Sequence, residues 1–176
     1  MTVPLTHETY VELLAGGGLT LPEPGAEPTP SPLPKYNGSR DPAGVERLGT
    51  ELARSVSAAV ATTPDLVVVW QDPEDLVLAH VVARELGTTV LRLMDLDGLV
   101  GHEGPVPRHA SAVIVSDAVR DGSVVRAMVA LIERANSTVV AVATLAVPEF
   151  DTVSDIGAVP AVTSPAARAD SSAVTA

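Results

Sequence analysis

The sequence predicts an α/β domain with a mostly parallel central sheet, flanking helices and a disordered C-terminal tail. Short apolar runs rich in valine recur at 66–70, 88–94, 110–115 and 138–147, as expected of strands buried on both faces. Amphipathic stretches with apolar residues three and four apart alternate with these runs. A strand, helix, strand order of this kind implies right-handed crossovers between parallel strands.

Residues 5–15 read as a helix, with Thr6 as cap, Tyr10, Leu13 and Leu14 on one face and Gly16 as stop. Residues 16–42 read as a Gly/Pro-rich arm. Six prolines fall between Pro22 and Pro34, and proline fixes φ and lacks a donor N–H. A spacer is the plainer reading of this arm, and a docking segment for a protein partner is the other. The α/β domain spans 43–150. Its first helix, 43–60, aligns Val45, Leu48, Leu52 and Val56, with Glu46, Arg47, Glu51 and Arg54 opposite. After the first strand a helix at 74–86 stops at Gly87, with His80 read as packing. The second strand leads into 95–109, a loop or small hairpin with Gly98, Gly101, Gly104, Pro105 and Pro107. The third strand is followed by a helix at 123–135 with Val124, Val125, Met128, Val129 and Ile132 inward, then the fourth strand. Residues 151–176 lose periodicity and read as the tail.

Composition bounds the function. The 176 residues carry 22 acidic and 11 basic side chains, a formal charge of −11, opposite to a generic nucleic-acid binder. No apolar run reaches a membrane span and no signal segment opens the chain, so the expected location is cytoplasmic. Cysteine is absent, which removes disulfides and thiolate chemistry. Lys35 is the only lysine.

In an open parallel sheet, ligands bind beyond the carboxyl ends of the strands. Those ends read Gln71, Asp72, Pro73, Glu74, Asp75, then Asp95, Leu96, Asp97, then Ser116 to Ser123. No Gly-x-Gly-x-x-Gly follows a strand, and the P-loop lysine is missing. Asp95 and Asp97 resemble the haloacid-dehalogenase nucleophile pair, but the intervening elements of that family are too short here. The acids Asp72, Glu74, Asp75, Asp95, Asp97, Asp117 and Asp121 form either a solvated rim or a divalent-cation site.

The stretch Val113, Ile114, Val115, Ser116, Asp117, Ala118, Val119, Arg120, Asp121, Gly122, Ser123 is an apolar strand, an acidic turn and a helix start. It resembles the phosphoribosyl pyrophosphate (PRPP) motif of the type I phosphoribosyltransferases, whose fold is Rossmann-like. The run from Leu66 through Gln71, Asp72, Pro73 and Glu74 is similar to the pyrophosphate loop of that family. Lys35, Tyr36, Asn37, Asp41 and Pro42, with Gly101, His102, Glu103 and Gly104, resemble the orotate enzymes most closely. The resemblance spans 31–147, with 101–108 as the hood, including His102 and Arg108. It implies Asp117 as the acid holding ribose and a Mg²⁺ accompanying PRPP.

The same motif departs from the family at three loops. Ser116 replaces the first acid, and Arg120 and Asp121 replace small or hydroxyl residues in the phosphate turn. A carboxylate about 4 Å from a phosphate costs about 4 kcal/mol at an effective dielectric near 20. Pro73 and three acids replace a glycine turn, and the hood lacks lysine. Two readings follow. In the first, the chain has lost PRPP-dependent catalysis and is a regulatory or structural partner, as a homodimer or paired with an active relative. In the second, it is a divergent transferase acting on a nucleobase, with Asp117 binding Mg²⁺ or sugar.

Overall fold

A computed structural model of the chain describes residues 4–19, 35–120, 122–146 and 159–167. In chain order the elements are α1 (His7–Gly16), α2 (Pro42–Ala59), β1 (Leu66–Trp70), α3 (Pro73–Leu86), β2 (Thr89–Leu96), β3 (Leu99–His102), β4 (Ser111–Ser116), α4 (Gly122–Arg134), β5 (Thr138–Thr144) and β6 (Ala161–Thr163), then a 3₁₀ turn at Pro165–Ala167. They form one six-stranded sheet in the order β3-β2-β1-β4-β5-β6. Every pairing is parallel except β2 with β3. The α/β, mostly parallel expectation therefore holds.

Helix starts follow from local chemistry. Asp41 accepts from the Gly44 N–H at 2.9 Å and Pro42 opens α2. Asp72 caps α3 in the same way, ahead of Pro73. Proline suits the first helical position because its missing N–H has no partner there anyway. Gly87 ends α3 at φ 70, a conformation that costs other residues strain. Between β2 and β3 the hairpin turns through Asp97 and Gly98 at φ 53 and 84, the primed turn that matches strand twist.

The sheet separates two apolar layers. One holds Tyr10, Leu14, Leu48, Leu52, Val56, Leu78 and Val82 against Val67, Val69, Val113 and Val115. The other packs α4, through Val125, Met128, Val129 and Ile132, on Leu66, Val68, Leu91 and Ile114. The alternation along each strand produces this division, since successive side chains point to opposite faces.

Several expectations change. The arm does not begin at residue 16: Leu19 and Tyr36 are fully buried, and the Asn37 N–H donates to the Gly17 carbonyl at 2.7 Å. Both ends of the arm thus belong to the core, while the six prolines from Pro22 to Pro34 lie outside the described residues. Within the expected tail, residues 159–167 add β6 to the sheet and a turn whose Ala166 carbonyl meets the His7 ring at 2.8 Å. A three-residue strand is too short for periodicity to reveal. The remainder of 151–176 lies outside the described residues. His80 is exposed, because Leu78, Ala79 and Val82 fill the inward stripe of α3. Among the described residues no helix is long and apolar enough to cross a membrane.

Candidate functional site at the carboxyl ends of β1 and β4

β1 and β4 lie side by side, and the chain leaves them in opposite directions, to α3 and to α4. Such a switch point opens a crevice above the strand ends. A cavity of about 150 Å³ lies there, lined on its polar side by Lys35, Asp72, Asp75, Ser116 and Arg120. Its apolar wall includes Trp70, Val119, Val124 and Met128.

Asp117 is 3% exposed and is not among the residues that line that space. Its Oδ2 accepts from the Tyr36 N–H at 2.7 Å and from Arg120 Nη2 at 2.7 Å. Its Oδ1 accepts from the Ala118 N–H at 2.7 Å and from Arg120 Nη1 at 2.5 Å. A carboxylate offers about four lone-pair positions, and four N–H bonds use them. A bidentate arginine fork of this kind is among the stronger polar contacts. The bond to Asp117 raises the Arg120 pKa, against the opposing effect of burial.

Asp75 reaches from the first turn of α3 beneath the same turn. Its Oδ1 accepts from the Asp117 N–H at 2.7 Å, and its Oδ2 lies 2.8 Å from Ser116 Oγ. Burial, then the Asp117 charge, push the Asp75 carboxyl up to about 7. Asp72 pairs with Lys35. Burial works to raise its pKa, but the Lys35 bond and the Glu74 N–H outweigh that and hold it low.

Of the expected PRPP-motif residues, Ser116, Ala118, Val119 and Arg120 line the cavity, and Asp117 is beneath it. Gly122 and Ser123 begin α4, and Asp121 lies outside the described residues. Of the pyrophosphate-loop positions, Asp72 lines the cavity, whereas Gln71, Pro73 and Glu74 do not. His102 and Arg108 are also absent from its wall. His102 is exposed on β3, with its ring bonded to the Gly104 carbonyl at 2.6 Å.

Of the seven acids, Asp121 lies outside the described residues, and the other six do not gather into one group. Asp95 accepts from the Gly98 N–H at 2.6 Å and shapes the hairpin turn. Among the described residues, no group of three His, Cys, Asp or Glu side chains could hold a metal ion. Asp117 does not fit a Mg²⁺ ligand either, since its acceptor positions are filled from within. The expected excess of negative charge is also smaller than the sequence suggests, because Lys35 answers Asp72 and Arg120 answers Asp117. Lys35 and Trp70 were missed as site residues. Lys35 stands 37 positions from Asp72, within the expected arm. Trp70 had a usable signal, as the last residue of a buried strand.

No protein-family model matches the chain, and no curated protein matches it in sequence. Solved structures do match in shape. The adenine phosphoribosyltransferase of Thermoanaerobacter pseudethanolicus aligns with a TM-score of 0.65 and 14% identity, over 88% of this chain and 98% of that one. The Saccharomyces cerevisiae enzyme, solved with an imino-altritol bisphosphate and adenine, gives 0.65 and 17%, over 89% and 98%. A hypothetical protein from Neisseria gonorrhoeae with bound ppGpp gives 0.51 and 13%, over 69% and 78%. At these identities the likeness is one of fold. The fold is that of the type I phosphoribosyltransferases, and a likeness of fold does not single out the orotate enzymes among them.

Proposed function

We propose that this chain, built on the phosphoribosyltransferase fold, does not transfer phosphoribosyl from PRPP and serves as a regulatory or structural partner. The observation that carries this reading is the engagement of Asp117. In the resemblance, that carboxylate would hold the sugar hydroxyls. Here its oxygens hold Tyr36, Ala118 and Arg120. A sugar would have to displace the bidentate Arg120 fork from a buried carboxylate, and breaking such a pair is strongly unfavourable. Pro73 also removes a backbone donor from the loop that would receive pyrophosphate. The partner would be a second copy or an active relative, with the Pro-rich arm as a further contact.

A second reading has its own support. The adenine enzymes share the fold, and Lys35 and Arg120 put two cations on one cavity. A divergent transferase would swing Arg120 from Asp117 onto an anionic substrate and use Mg²⁺ with PRPP. The deciding experiment is pyrophosphate release from PRPP and Mg²⁺ with adenine, then with orotate. The first reading expects no release above the protein-free rate. Release that Asp117→Asn abolishes establishes the second.

A further inference from the structure

β6 stands at the end of the strand order and pairs with β5. The Val142 N–H donates to the Pro160 carbonyl at 3.0 Å, which sets the phase of this parallel ladder. Val162 therefore bonds inward to β5, and the amides and carbonyls of Ala161 and Thr163 point outward. Among the described residues no hydrogen bond reaches those four groups. Pro165, at the next outward position, has no N–H, so the open edge stops there. Beside it, on the α2 side of the sheet, runs a cavity of about 580 Å³. Its walls include Arg54, Ser55, Ala58 and Ala59 from α2, with Val162 and Pro165.

The phase of this edge is complementary to itself. A two-fold axis through Val162, perpendicular to the sheet, runs two β6 strands antiparallel. Ala161 of each copy then faces Thr163 of the other, and each such pair exchanges both of its backbone bonds. All four outward groups of each copy are satisfied. Val162 meets its counterpart across the axis on the α2 side, since it belongs to the core layer of that side, and pairs of β-branched residues favour such contacts.

Charge selects this edge over the other. The chain carries a formal charge of −11. Two such chains repel one another, and the contact least opposed is one whose own charges balance. β6 has no charged side chain. The charged residues lining the cavity, Glu51 and Arg54, pair with each other. The axis brings the same face of the second α2 opposite, so each carboxylate and guanidinium pair faces another of the same kind. At the opposite end of the sheet, β3 is bordered by exposed Asp95, Asp97 and Glu103, of which Glu103 meets Arg92 at 3.4 Å. Charge of this kind keeps a second strand off an edge.

We propose that two copies of this chain join through β6, so that one six-stranded sheet continues into the other with both α2 helices on the same face. This deepens the reading of the chain as a structural partner, by naming the partner as a second copy and the surface as the β6 edge. Pyrophosphate release plays no part in the test, so a monomer overturns the interface and leaves the catalytic reading standing.

The test is the mass of the full-length chain by sedimentation equilibrium over a dilution series. The expected result is twice the chain mass of 18.0 kDa, falling to the single mass on dilution, with slower hydrogen exchange at the Ala161 and Thr163 amides in the dimer. Thr163→Pro removes an outward N–H and leaves the inward bonds of Val162 intact, so it should sediment as a monomer. Ala58→Glu, at an exposed helix position, places a carboxylate on the cavity wall of each copy. It should also give a monomer, with an unchanged far-ultraviolet circular dichroism spectrum, and it decides the matter if Thr163→Pro does not fold. Leu99→Glu, on the exposed β3 edge, should remain a dimer. A parent chain that is monomeric at every concentration overturns the proposal. So does a dimer that survives in either folded β6-edge variant, or one that Leu99→Glu dissociates.

Discussion

Replacing Asp117 with asparagine separates a structural carboxylate from one held ready for a ligand. Asp117 is 3% exposed and receives four N–H bonds, two of them from the half-buried Arg120 guanidinium. Asparagine has one carbonyl oxygen, and its NH₂ group meets donors rather than acceptors. The guanidinium loses its two bonds to the buried carboxylate, and breaking a buried pair in this way costs about 3–5 kcal/mol. A backbone N–H left without an acceptor costs about 1–3 kcal/mol, part of which that range already contains. Urea unfolding should therefore show a loss of about 3–5 kcal/mol. For a chain of this size each kcal/mol shifts Tm by about 2–4 °C, so the melting point should fall by about 6–20 °C. Adding Arg120→Met to the variant removes the guanidinium whose bonds to Asp117 are lost and should return about 0.5–3 kcal/mol, the size of coupling seen between contacting residues. A loss below about 1 kcal/mol for Asp117→Asn would refute the reasoning. It would mean that the carboxylate faces water and stands free for a substrate.

Three further outcomes follow from packing and titration. A Cβ on Gly49 would come within 2.6 Å of Val81 Cγ1 and 2.8 Å of its Cβ. Gly49→Ala should thus cost about 1–3 kcal/mol by overpacking α2 on α3, against a helix-propensity gain of about 1 kcal/mol, and urea unfolding should show a net loss. Tyr10→Phe removes the bond from the Tyr10 hydroxyl to the buried Leu145 carbonyl at 2.9 Å; a loss of about 1–3 kcal/mol by thermal melting is expected. The third concerns pH. Burial pushes the folded Asp75 carboxyl up to about 7, above the ordinary aspartate value of 3.8, so between those values the folded state keeps a proton that the unfolded chain has released. This contribution to stability is complete below the lower value and is lost as pH rises through the upper one. Asp75→Asn should flatten that decline, seen as a smaller fall in Tm between about pH 5 and pH 8. A decline equal to that of the parent protein would show that Asp75 is ionised throughout.

The sheet was legible because burial on both faces leaves a plain record: β1 and β4 are almost wholly apolar, and each is followed by a helix, the one after β1 capped by Asp72. Helix starts shifted by a residue where Pro42 and Pro73 open the first turn instead of preceding it. The site was legible only as a place. The rule that ligands bind at strand carboxyl ends found Asp72, Ser116 and Arg120, because they are close in sequence to strands. It did not find Lys35, which the fold returns from beyond a proline-rich stretch. Nor could the acid count show that Asp117 points inward to the Tyr36 amide, since side-chain direction at a turn depends on which donors the tertiary structure supplies. β6 escaped notice for the opposite reason. Its three residues have no pattern of their own and are a strand only because the β5 edge pairs with them.

The central claim is that the site's own side chains close the place where a sugar would sit. Calorimetric titration of PRPP into the full-length chain, with and without Mg²⁺, tests it most directly. No saturable heat is expected under either condition. A saturable, Mg²⁺-dependent isotherm that disappears in Asp117→Asn would contradict it, because Asp117 would then exchange Arg120 for the ligand.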